Sequence, residues 1–94
     1  MLNSVFLIGN IIGKCIFDDS ADDELTYKMH IKCLNGDTPE LETDVYIWSG
    51  LAEVADNKTD DAIAVGIKGY LKMVNGQLKV MAKRVSFMQV ANDD

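Results

Sequence analysis

Lys28, His30 and Lys32 recur at every second position, as do Tyr46 and Trp48 and then Lys68, Tyr70 and Lys72, with Lys79 and Lys83 following further on. Residues two apart share one face of a strand. Cations in that arrangement beside flat rings suit one chemistry: ammonium groups track phosphates, and unpaired bases stack on the rings at roughly 1–3 kcal/mol each. Any single lysine here has a plainer use, since outward lysines solvate a sheet and discourage edge-to-edge pairing. The combined stripe with Tyr46 and Trp48 favours binding. Trp48 equally suits a protein interface, where tryptophan is enriched, and that alternative stays open. His30 is the only histidine. With no second histidine or thiol on its face, it reads as a phosphate contact or a solvated side chain rather than a metal ligand.

These residues need strands to present them. Residues 25–33 alternate, with Leu25, Tyr27, Met29, Ile31 and Cys33 on one face and Thr26, Lys28, His30 and Lys32 on the other. In residues 43–48, Val45 and Ile47 face the core while Asp44, Tyr46 and Trp48 face outward. Ser49 and Gly50 then break the strand, and Leu51, Val54 and Ala55 recur at helical spacing, with Ser49 placed to cap a short helix and Glu53 to favour its early turns. Residues 62–73 form the next strand, with Ile63, Val65, Ile67 and Leu71 inward and Lys68, Tyr70 and Lys72 outward. Gly66 and Gly69 mark close approach to another backbone. Asn75-Gly76 is a hairpin signal, because both central positions of a type I′ turn need positive φ. In the last strand Leu78, Val80 and Ala82 are inward and Gln77, Lys79, Met81 and Lys83 outward. The parity then flips to put Val85 and Phe87 inward, which predicts a bulge near Lys83 and Arg84.

Residues 3–12 are almost wholly apolar, which suggests a strand buried on both faces and bent at Gly9 and Gly13. The pattern revives at Cys15, Ile16 and Phe17. An acidic stretch, Asp18 to Glu24, follows and reads as a solvated, mobile loop. Asn35, Gly36 and Pro39 end the second strand, and residues 56–61 form a polar connection.

The composition allows one domain, residues 1–90, with a short frayed tail at 91–94. Formal net charge is −6, which argues against a polyanionic partner until the distribution is considered. The acids gather in connections and the bases in strands. Cys15 and Cys33 are too far apart in the sequence to make a metal site and read as small, reduced packing residues. No apolar run is long enough to span a membrane, and the first residues lack the basic, apolar and small-residue segments of a signal peptide, so a cytoplasmic location is expected. The methionines follow strand faces and read as packing. No nucleophile-and-base set, glycine-rich phosphate loop or metal spacing appears, so neither catalysis nor a cofactor is expected. The paired acids lack the ligand spacing and closing glutamate of a calcium loop.

Five strands with one short helix between the third and fourth predict an all-β Greek-key barrel of the OB type, whose second and third strands commonly present the binding face. With the elements so placed, the sequence resembles the bacterial single-stranded DNA-binding protein family over nearly its whole length. The resemblance is carried by Asn3 to Gly9, by Val45 through Ala55 with Leu51-Ala52-Glu53-Val54-Ala55 at its centre, and by Ala64 to Leu71. It implies single-stranded DNA binding without catalysis and assembly as a homodimer or homotetramer.

Three departures qualify it. Glu42 or its neighbours stand where many members carry a stacking tryptophan. The last hairpin is cut to Val74, Asn75 and Gly76, and the family's long extension with an acidic and hydrophobic tip is expected to be missing. Weaker binding is therefore expected, without recruitment of repair enzymes through a tail. The competing expectation is a primosomal-type module that binds a replication protein and little DNA.

Overall fold

The computed structural model describes residues 3–33, 41–58 and 63–89. The turn expected at Asn35, Gly36 and Pro39, much of the polar connection at 56–61 and the tail at 91–94 lie outside them. The described elements are β1 (Val5–Ile11), β2 (Ile16–Phe17), β3 (Tyr27–Cys33), β4 (Leu41–Ile47), α1 (Ser49–Asp56), β5 (Ile63–Val74) and β6 (Gln77–Gln89).

The strands run in the order β1-β5-β6-β4-β3-β2, and β1 also pairs with β3, so that β1, β5, β6, β4 and β3 close into a ring. Every pairing is antiparallel except that of β4 with β6, where Val45 meets Val80 and Tyr46 meets Met81. Closure depends on Gly9, which is in register with both Val65 of β5 and Cys33 of β3. A Cβ there would strike the Lys32 carbonyl. The expected first strand is thus β1 and β2 together, broken around Gly13, with both pieces paired to β3.

The burial on both faces expected for β1 is not found. Val5 and Leu7 are half-buried, whereas Phe6 is 68% exposed and Ile8 is also exposed. The apolar run hid an ordinary two-residue alternation in which the outward positions are apolar too.

The ring encloses Met29 and Ile31 from β3, Val45 and Ile47 from β4 and Val65 and Ile67 from β5, all fully buried. Each such side chain withdrawn from water contributes about 1.5–3 kcal/mol. Helix α1 plugs one end with Leu51, Ala52 and Ala55; Val54, expected inward, is exposed. The helix starts one residue earlier than expected. Ser49 is its first residue and Trp48 its N-cap, in extended conformation, with the Trp48 carbonyl accepting from Leu51 and Ala52 N–H and no side chain capping. Glu53 falls beyond the first turn. Asp56 anchors the far end, accepting the Cys15 N–H at 2.7 Å. Burial and this neighbouring carboxylate push the Cys15 thiol up to about 12, so it stays protonated. Both cysteines are free, as expected.

β5 and β6 make a long hairpin. Asn75 (φ 50°) and Gly76 (φ 80°) form its turn, as the sequence predicts. The expected bulge is present: Lys68 faces Arg84 and Gly69 faces Ala82, leaving Lys83 as the extra residue. Gly69 packs directly on the Met81 carbonyl, the close approach its position suggested. Past the ring, Met73 and Leu78 face each other across the hairpin at 63% and 59% exposure. Leu78 has inward parity, but no core lies beneath it there.

Candidate nucleic-acid interface

Lys28, Tyr46, Met81 and Tyr70 form one row across the outside of β3, β4, β6 and β5, in register from strand to strand. Two cations stand over its rings. Lys79 Nζ lies 6.0 Å from the centre of the Tyr46 ring and Lys83 Nζ 5.9 Å from that of Tyr70, within cation–π range. The two-residue period therefore brings Lys28, Tyr46, Tyr70, Lys79 and Lys83 together as expected, with Lys72 alongside.

The same row is covered, and here the sequence expectation fails. Tyr46 is not an outward ring open to solvent but 2% exposed, packed with Ala21 and Met81 beneath Leu25, Tyr70 and Val74. Met81, expected outward, is fully buried in the same cluster. The cover is the acidic connection between β2 and β3, which is not loose. Asp18 Oδ1 accepts from the Ser20 N–H and hydroxyl at 2.9 and 2.5 Å, and its Oδ2 accepts the Tyr46 hydroxyl at 3.0 Å. Asp22 Oδ1 accepts from Glu24 and Leu25 N–H at 2.7 and 3.1 Å. Each aspartate thus holds its own short turn closed. The segment is also pinned to the sheet by charge. Asp18 lies 3.8 Å from Lys28 and Asp22 lies 3.7 Å from Lys72, whose ammonium donates to the Ala21 carbonyl at 2.7 Å.

These contacts set the local electrostatics. The Ser20 hydroxyl and N–H, with smaller help from Tyr46 and Lys28, hold the Asp18 carboxyl down at about 2. Desolvation, then the bond to Asp18, raises the Tyr46 phenol. His30, expected to meet phosphate or water, instead bridges two carboxylates on β4: Asp44 at Nδ1, 2.8 Å, and Glu42 at Nε2, 2.9 Å. Those two bonds raise its pKa, because only the imidazolium donates at both nitrogens. Lys32 lies in register with Glu42.

Trp48 remains where expected, 37% exposed at the end of β4. Lys68 is not part of the covered row. It lies between Phe6 of β1 and Arg84 of β6. Together with Gly66, Ser86 and Met88 these line a shallow groove of about 260 Å³. Sequence reasoning missed Phe6 and Arg84. The alternation of Phe6 and Ile8 with Val5 and Leu7 was the available signal for the first, and the predicted bulge, which turns Arg84 outward beside Lys68, for the second. It also missed Asp18 and Asp22 as binding partners, although a carboxylate two residues before a serine or glutamate N–H is a known turn pattern.

No family model matches the sequence, and neither does any curated protein. Solved structures do match in shape. A small single-stranded DNA-binding protein from Mycoplasma pneumoniae superposes with a TM-score of 0.62 at 19% identity, over 92% of this chain and 93% of the other. The single-stranded DNA-binding domain of a Synechococcus sp. protein does so with a TM-score of 0.53 at 18% identity, over 90% and 94%. The chain is an OB-fold. At these identities the likeness establishes the architecture, as the five strands and one short helix predict. In OB-fold terms β3 and β4 are the second and third strands, and the connection lying on them is the loop between the first and second strands, a region that contacts oligonucleotides in other OB-folds. Among the described residues, no group of three or more His, Cys, Asp or Glu side chains is arranged to hold a metal ion, and no helix is long and apolar enough to cross a membrane.

Proposed function

We propose that the protein binds single-stranded DNA with little regard for sequence, stacking bases on its exposed rings and holding phosphates with its lysines, in DNA replication, recombination or repair. The observation that carries this reading is the gathering of Lys28, Lys79 and Lys83 around the half-buried Tyr70 on one outward face, Lys83 Nζ lying 5.9 Å from the Tyr70 ring, with Trp48 exposed at the end of β4. Charge and aromatic surface are interleaved there in a chain whose net charge is −6. Support comes from the fold it shares with proteins described as single-stranded DNA-binding. Assembly as a homodimer or homotetramer belongs to the same reading, with the exposed Met73 and Leu78 pair supplying apolar surface for a second copy. So does action inside the cytoplasm, without catalysis.

Trp48, the only tryptophan, is both a candidate platform and the reporter. Titrating its fluorescence with oligo-dT at two salt concentrations should show quenching that weakens steeply with salt, because each phosphate held releases counterions. Absence of any change at low salt, together with no shift in the anisotropy of labelled oligo-dT, would overturn the reading.

A second reading has its own observation. Asp18 and Asp22 already occupy Lys28 and Lys72, which favours a module that mainly contacts a replication protein and binds DNA weakly. The same titration separates the two.

A further inference from the structure

We infer that the acidic segment 18–24 is a displaceable cover, seated on Lys28, Tyr46 and Lys72 in the free protein and lifted off them by single-stranded nucleic acid. Cover and strand exclude one another, so the segment sets how tightly a strand is held. This rests on the proposed function and adds the regulation of its site. The cover already occupies what a strand needs. Asp18 and Asp22 put carboxylates 3.8 and 3.7 Å from the Lys28 and Lys72 ammonium groups, the positions that phosphates would take. Between them Ala21, buried against Tyr46 and Met81, fills the place of a base. Lys28 and Lys72 stand on β3 and β5, three strand spacings or roughly 14 Å apart across the sheet, so two phosphates of one strand are needed to replace both carboxylates.

The fastening is of a kind that gives way as one piece. Residues 18–26 belong to no strand, and the bond from the Asp18 N–H to the Thr26 carbonyl, 2.7 Å, closes the segment on its own base rather than on β4 or β5. The turn at Asp18 is closed by Ser20 and the turn at Asp22 by Glu24 and Leu25, and these internal bonds survive when the segment lifts. Across the face the holds are side-chain contacts beside solvent. They are two ion pairs with partly exposed partners, the Tyr46 hydroxyl on Asp18 at 3.0 Å, and the Lys72 ammonium on the Ala21 carbonyl at 2.7 Å. Ion pairs open to water are weak and screened by salt.

A strand replaces each hold with a better one. Its phosphates answer both lysines, and a base covers more of the Tyr46 and Tyr70 rings than one alanine methyl does. Charge then opposes return of the cover, because Asp19, Asp23 and Glu24, exposed on the same segment, repel the bound phosphates. Two arrangements result, and they cannot share the lysines. The apparent affinity for a strand is the intrinsic affinity of the open face reduced by the fraction of molecules that are open.

The test follows hydrogen exchange of the full chain with and without saturating oligo-dT, alongside anisotropy of fluorescein-labelled oligo-dT. Amides 18–25 should exchange faster when oligo-dT is bound, while those of β4 slow. Ala21→Glu is too large for its buried place on Tyr46, so it should unseat the cover and raise affinity several-fold although it adds a negative charge. Ala21→Ser, which fits, should bind as wild type does. The exchange measurement needs no variant and decides the matter if Ala21→Glu does not fold. If oligo-dT binds while exchange at 18–25 is unchanged or slower, the cover stays seated, the proposed function stands and this inference is wrong. Weaker binding by a folded Ala21→Glu has the same meaning. If wild type fails to bind and Ala21→Glu binds, the cover closes the face fully and the inference holds. If neither binds, the proposed function itself falls and takes the cover's role with it.

Discussion

The hydroxyl of Tyr46 donates to Oδ2 of Asp18 at 3.0 Å, joining the third strand of the barrel to a loop 28 residues earlier in the chain. That bond makes the acidic loop a strap. Its carboxylates sit on Lys28 and Lys72, where the proposed function puts phosphates, so the molecule carries a local imitation of its proposed ligand.

Removing the strap's charge should open the covered face. Asp18→Asn with Asp22→Asn frees Lys28 and Lys72, and oligo-dT affinity at low salt should rise several-fold. The salt slope should steepen by up to roughly 0.7 for each lysine that takes up a phosphate. Unchanged affinity and slope in an anisotropy titration would show that the strand does not use this face.

Tyr46→Phe keeps the ring and removes its one donor. The expected loss is about 0.5–1.5 kcal/mol in urea unfolding, the net worth of such a bond, because Asp18 keeps Ser20 and Lys28. The m-value should not change. A loss far above that range would mean that the strap as a whole detaches.

Acid should act on the same contact. The Asp18 carboxyl is held from an ordinary 3.8 down to about 2. A depressed folded-state pKa stabilises above the unfolded value, and that contribution is lost as pH falls through the folded value. The strap should therefore stay seated near pH 4 and loosen towards pH 2, seen as exposure of Tyr46 in near-ultraviolet absorbance. Asp18→Asn should abolish the dependence.

His30 has the opposite sign. Its two carboxylate bonds raise its pKa above 6.5. A raised folded-state pKa stabilises fully below the unfolded value, and the benefit disappears as pH rises through the folded one. The urea midpoint should fall between pH 6.5 and the folded-state value, by a small amount because the pair is more than a third exposed. His30→Gln should flatten that part of the profile. An equal slope in the variant would assign the dependence to another group.

Gly9→Ala should be far more harmful than any of these. Its Cβ meets the Lys32 carbonyl where β1 changes partners, so backbone must move at the point of closure. A loss of several kcal/mol or failure to fold is expected. A soluble variant with a wild-type urea midpoint would contradict the geometry.

Much of the barrel was legible in local pattern. The alternation at residues 25–33, the Asn75-Gly76 turn and the parity break near Lys83 each reflect short-range rules, namely strand period, positive φ and an unpaired extra residue. Tyr46 was not legible in the same way. Strand parity tells which side of a sheet a residue faces, and Tyr46 does face outward. What lies over it is decided by a segment remote in sequence. Phe6 failed for the converse reason, since an outward apolar residue beside inward ones leaves no polar mark in the sequence. Trp48 and Ser49 differ as helix caps by a single residue, within the usual uncertainty of helix ends.

The one parallel pairing, Val45 with Val80 and Tyr46 with Met81, has a consequence for synthesis. Strands of a hairpin can zip as they emerge, but these two are 35 residues apart, with α1 and β5 between them. The ring cannot close until the segment around Val80 has left the ribosome. Until then Val45 and Tyr46 have no partner on that side. Ordering so long a loop before any reward from its pairing is slow, which places folding in the millisecond-to-second range typical of barrels. The nascent chain therefore has an open strand edge for the time taken to make the 35 residues that separate Tyr46 from Met81, and that interval is when it is most exposed to aggregation.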